Sequence, residues 1–127
     1  MCGADLFAGA GSVPSRYSHL REAIAILAAP ADVQDRTPCA EGFPTDYGND
    51  ELALMFDDIY PTVRDELNAE QSTAAQRLDD LLALYSGPRN RAFWAREALW
   101  HDKRWEAVRS CAREALSAFP PAAAAYP

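Results

Sequence analysis

The sequence predicts an all-α fold, a single-domain bundle of four to five helices, on three observations. Large apolar residues recur every three or four positions over most of the chain, the period of a helix with one buried face. Val and Ile supply only seven of the 34 large apolar residues, too few β-branched side chains for the usual filling of a sheet. No stretch alternates apolar and polar residues as a half-buried strand would. At 127 residues the chain has room for one core and one domain.

The elements follow from these signals in order. Residues 1–14 are rich in small residues and read as a flexible N-terminus. The spacing of Tyr17, Leu20, Ile24 and Leu27 predicts a helix from Ser15 to Ala29, closed by Pro30. Residues 30–49 hold three prolines and two glycines and read as one long connection. Asn49 or Asp50 can cap the next helix, which carries Leu52, Met55, Phe56 and Ile59 on one face. Pro61 predicts a break, with a second segment over 62–86, fraying near Gln71–Thr73 and stopped by Gly87–Pro88. Asn90 then caps a helix over 91–101, and Asp102 caps a last one running to Ala118. Residues 120–127 read as a disordered Pro/Ala tail.

The net charge of −7 is uneven along the chain. Residues 1–31 balance, residues 32–80 hold thirteen acids against three bases, and residues 86–119 hold seven bases against four acids. An acidic middle repels nucleic acid and speeds encounter with a cationic partner. Pairing of the basic segment with the acidic one inside the molecule is the simplest use of this asymmetry. Cys2, Cys39 and Cys111 are odd in number and widely spaced, which fits neither a disulfide framework nor a structural zinc site. A reduced, cytoplasmic chain is therefore expected. No apolar run approaches the roughly 20 residues of a membrane span, and the start of the chain lacks the pattern of a secretory signal.

On a wheel carried at one phase through Pro61, Leu52, Phe56, Val63, Leu67, Ala74, Leu78, Leu81 and Tyr85 share one arc. Glu51, Asp58, Asp65, Asp79 and Asp80 fall on the opposite side, giving an acidic ridge. The plain reading is a solvated helix back, and the functional one is a docking strip for a basic partner. The residues chosen for that strip are Asp57, Asp58, Asp65, Glu66, Asp79 and Asp80, with Tyr60 and Tyr47 as aromatic anchors.

Other constellations argue less. Neighbouring acids such as Asp57–Asp58 diverge by about 100° on a helix, so no pair chelates a cation alone. Glu97 and His101 stand four apart, whereas di-iron bundles use Glu-x-x-His together with further glutamates. Asp5–Gly11 reads Asp-Leu-Phe-Ala-Gly-Ala-Gly, which resembles the first motif of the cytosine-C5 DNA methyltransferases, and Pro38–Cys39 is similar to that family's Pro-Cys nucleophile step. In that family the glycine turn follows a buried strand. Here only Met1–Ala4 precede it and no βαβ pattern follows, so the match reads as chance and no cofactor or metal is expected.

The resulting expectation is a non-enzymatic, cytoplasmic interaction module that offers an acidic surface to a basic protein partner. By composition alone it is comparable to immunity proteins and antitoxins, small acidic bodies that block basic effectors. The alternative is a regulatory nucleic-acid binder using the basic residues of 89–113 near Trp94, Trp100 and Trp105. A homodimer on the Leu67–Leu78–Tyr85 seam is a third arrangement the pattern permits.

Overall fold

The computed structural model describes residues 15–36 and 49–121. These form six α-helices: α1 (Arg16–Ala28), α2 (Ala31–Arg36), α3 (Asp50–Val63), α4 (Ala69–Leu84), α5 (Ala98–His101) and α6 (Lys103–Leu116). Two 3₁₀ segments, Arg64–Glu66 and Pro88–Trp94, join them, and no strand occurs among the described residues. The all-α expectation is met, with more and shorter helices than the four or five foreseen. The expectations for residues 1–14, for the tail beyond Pro121 and for Tyr47 lie outside the described residues, as do Cys2 and Cys39.

α1 is the central element and lies against both α3 and α6, while α6 also lies against α4. Its inner face is Leu20, Ala23, Ile24 and Leu27, all fully buried, as the apolar spacing requires. Ser15 caps its first turn by accepting from the Ser18 amide. Leu52, Phe56, Val63, Leu78, Leu82, Val108 and Phe119 complete the core. Phe93 stacks on Trp105 with ring centroids 4.4 Å apart, and Trp94 meets both rings edge-on.

The chain after α6 is tied down by its neighbours. Arg21 of α1 donates to the Phe119 carbonyl at 2.7 Å, Gln71 of α4 to the Ala118 carbonyl at 3.1 Å, and the Tyr17 hydroxyl to Pro120. Carbonyls past a helix end need such donors, and here three side chains from two other helices supply them.

Four boundaries differ from expectation, each for a local reason. The connection 30–49 begins with α2, held by Gln34, whose amide donates to the Ile26 and Leu27 carbonyls at the end of α1. Pro61 does not end α3, which continues to Val63. Pro61 and Asp57 are both exposed, so the Asp57 carbonyl that loses its amide partner lies on the side of the helix open to water. The break comes instead at Leu67–Asn68, where Asn68 and Gln71 form a reciprocal capping box that starts α4. Gln71, foreseen as frayed, is thus a locked position.

The expected helix 91–101 is replaced by the 3₁₀ segment and the four-residue α5. Gly87 adopts φ of +101°, a conformation reserved for glycine, and so turns the chain sharply after α4. Asn90 does not cap a helix that follows it. Its amide donates to the Ser86 carbonyl at the end of α4, and its oxygen accepts from Arg104. Asn49 likewise makes no side-chain cap for α3; it is buried and donates to the Ala95 carbonyl at 2.6 Å. Asp102 does cap α6, accepting from the Arg104 amide.

Candidate functional site

α3 and α4 are joined by a short turn and run antiparallel. Tyr60 stands opposite Gln76, its hydroxyl donating to Gln76 Oε1 at 2.9 Å. One turn further along, Asp57 and Asp79 come close enough to repel each other. Beyond them Ala53 and Leu54 face Leu82 and Ala83 across a groove of about 610 Å³. The two helices touch only sparsely, and this gap between them is the groove. Its far end is closed by Pro88, Arg91 and Trp94 of the 3₁₀ segment, which the Asn49 amide fixes by donating to the Trp94 carbonyl at 2.9 Å.

The floor of the groove is apolar, and Asp50, Asp57 and Asp79 stand along its walls. Burial of the carboxyl, the Asp79 charge and the neighbouring Asp58 charge all push the Asp57 pKa above the ordinary carboxylate value, in that order of size. Gln76 holds the Asp80 carboxylate at 2.9 Å and Asp79 at 3.4 Å, and so bridges the acids to Tyr60.

The predicted strip divides on inspection. Asp57, Asp58, Asp65, Glu66 and Asp80 are exposed and Asp79 is half-buried. Tyr60 is only 2% exposed and stacks on Phe56 at 5.1 Å, so it belongs to the core and cannot anchor a partner. The continuous ridge is also corrected. Because the chain folds back at Leu67–Asn68, the acids of α4 lie beside those of α3 rather than beyond them, and Asp57–Asp79 is the close pair.

All twelve Lys and Arg residues fall within the described segments, so their engagement with the described acids can be followed in full. Glu66 pairs with Arg16 at 2.9 Å. Asp57, Asp58, Asp65, Asp79 and Asp80 make no ion pair among the described residues. Among the described residues, the ion pair that joins the basic segment to an acid of the acidic one is Arg96–Asp35 at 2.6 Å. Arg104 and Arg109 instead take Asp102 and Glu106 of their own segment, and Arg77 takes Glu114.

Sequence reasoning missed two residues of the groove, Arg91, which reaches it from the 3₁₀ segment, and Leu54. Leu54 is 40% exposed and part of the groove wall. Of the three tryptophans, Trp105 is fully buried, Trp94 is half-buried with its indole N–H on the Tyr85 carbonyl, and Trp100 is exposed. No group of three or more His, Cys, Asp or Glu placed to hold a metal lies among the described residues. No helix there is long and apolar enough to cross a membrane. Comparison with protein-family models, curated proteins and solved structures finds no match.

Proposed function

We propose that this chain is a non-enzymatic interaction module whose α3–α4 hairpin offers an acidic face to a basic protein partner. The observation that carries the reading is the set of five carboxylates, Asp57, Asp58, Asp65, Asp79 and Asp80, without an ion pair among the described residues while six arginines pair with other acids. Asp57 stands beside Asp79 and Asp58 although their charges disfavour its own, an arrangement that an arriving cation relieves. Acidic surfaces of this kind act mainly on association rate and on the choice of partner. The comparison with immunity proteins and antitoxins belongs to this proposal as an analogy of charge.

Binding of nucleic acid through 89–113 has less support. Arg96, Arg104 and Arg109 are engaged by Asp35, Asp102 and Glu106, and Trp94 and Trp105 serve the core.

The test begins with capture of partners from the source cells at low and high salt, then measures association kinetics. Reversing Asp58 and Asp65 to lysine changes two exposed side chains outside the core. At low salt the association rate should fall about tenfold or more, and the difference should shrink as salt rises. An unchanged rate at low salt removes the proposal.

A further inference from the structure

The groove has properties that a merely acidic surface lacks. Leu54 and Leu82 give it an apolar wall, and Leu54 is left 40% exposed to water. From Asp50 to Asp57 the α3 wall spans about 10 Å, two helical turns. The groove also has a polarity. Arg91 stands where Asn49 meets Trp94, close to the start of α3, whereas Asp57 and Asp79 lie toward the opposite end with no cation of the described residues paired to either.

We propose that this groove seats a basic amphipathic helix of a protein partner, with apolar side chains against Leu54 and Leu82 and a lysine or arginine between Asp57 and Asp79. This rests on the reading of the chain as an acidic interaction module and gives it a place and a partner shape. Charge complementarity selects the cation, since three carboxylates line the groove against the single guanidinium of Arg91. The open mouth selects a macromolecule. Asp50, Leu54, Asp57, Ala83, Pro88 and Arg91 are all exposed, whereas small-molecule sites bury some 70–90% of their ligand. A helix laid in a groove between two helices brings its own second wall and reads out anchors spaced three, four and seven residues apart. Arg91 orients it: the cationic end lies toward Asp57 and Asp79, and a neutral or acidic end lies over Arg91.

The probe is a synthetic helical peptide of about 14 residues, four turns, with leucines on one face and lysines on the other. Its control has every leucine replaced by serine, leaving the charge unchanged. Binding to the whole chain is read by fluorescence anisotropy at about 50 mM salt, where surface charges are weakly screened. The leucine peptide should bind about tenfold or more tighter than the serine peptide, the expected loss when two apolar anchors are removed. Asp57→Asn with Asp79→Asn, and separately Leu54→Ser, should each weaken the leucine peptide about tenfold, with circular dichroism confirming an intact fold. If both peptides bind equally and salt removes both, the groove proposal is overturned while the acidic-module reading stands. Leucine-peptide binding that is indifferent to all these substitutions also overturns it, because the helix then sits elsewhere. Failure of both peptides to bind at low salt sinks the groove and the acidic face together.

Discussion

Arg109 offers the sharpest separation between a surface cation and a structural one. It belongs to the basic cluster by sequence, yet it is 4% exposed and its guanidinium reaches the Gln34 side-chain oxygen at 2.7 Å and the Leu99 carbonyl at 3.1 Å. Gln34 is itself fully buried and donates its amide to two α1 carbonyls, so the pair ties α1, α2, α5 and α6 together. Replacing Arg109 with methionine keeps much of the side-chain volume and removes both of these buried hydrogen bonds, together with the longer contact to the exposed Glu106. Each buried acceptor left without a donor costs about 1–3 kcal/mol, partly offset by no longer burying a charge, for a net loss of about 2–4 kcal/mol. That is a large part of the total for a small domain and corresponds to a midpoint fall of about 8–15 °C. Urea unfolding with an unchanged m-value measures it, and a cycle with Gln34→Met should give a coupling of about 1–3 kcal/mol. Loss of less than about 0.5 kcal/mol, the level of an ordinary surface substitution, would refute the reasoning. Arg113, exposed on the same helix, is the matched control and should fall within that level.

Other substitutions test the remaining supports. Gly87→Ala should cost about 1–3 kcal/mol by thermal unfolding although no atom lies within 4 Å of the added carbon, because the cost is conformational. Asn68→Ala removes one half of the capping box and should cost about 1 kcal/mol, read in the same assay. Asp102 is held below the ordinary carboxylate range by its hydrogen bond from Arg104, so its contribution is complete above its unfolded value near 3.9 and lost as pH falls through the lower folded value. Asp102→Asn should therefore flatten the acid limb of the stability–pH curve, and an unaltered limb counts against the pairing. Asp57 has the opposite sign: its raised pKa gives a contribution present below the unfolded value and lost as pH rises through the folded one. Asp57→Asn should raise stability at pH 7, and a fall there would contradict the cost of its burial and of the Asp79 and Asp58 charges beside it.

The fold class was legible because helical periodicity survives in the spacing of buried residues. Leu20, Ile24 and Leu27, or Trp105, Val108 and Ala112, read as one face in the sequence and are one face in the molecule. Boundaries were less legible because cap-type residues serve partners other than the helix that follows them, distant ones for Asn49 and the preceding turn for Asn90. Asn49 and Asn90 have the chemistry of caps, but Asn49 binds the 93–95 backbone and Asn90 binds the end of α4. No window of sequence shows a competing acceptor some forty residues away. The capping box at Asn68 and Gln71 is different, since its spacing is local and present in the sequence. Reading it would have moved the break from Pro61 to Leu67.

That single boundary decides what the acidic residues can do. A wheel run through the break places neighbours by heptad spacing, so it joins Asp58, Asp65 and Asp79 along one rod. Once the chain turns back at Asn68, adjacency is set across two antiparallel helices, and Asp57 meets Asp79 over an apolar floor. The inward placement of Tyr60 was within reach of the same wheel. One step past Ile59, it falls at the edge of the apolar arc, in line with Leu78, and it is buried as Leu78 is. Net charge by segment was equally visible, but neutralisation is a matter of geometry: among the described residues one arginine of the basic segment, Arg96, pairs with an acid of the acidic one. The uncompensated charge of the hairpin thus follows from where the helices turn as much as from how many acids they carry. Moving the turn would pair different carboxylates and dissolve the groove without changing the composition at all.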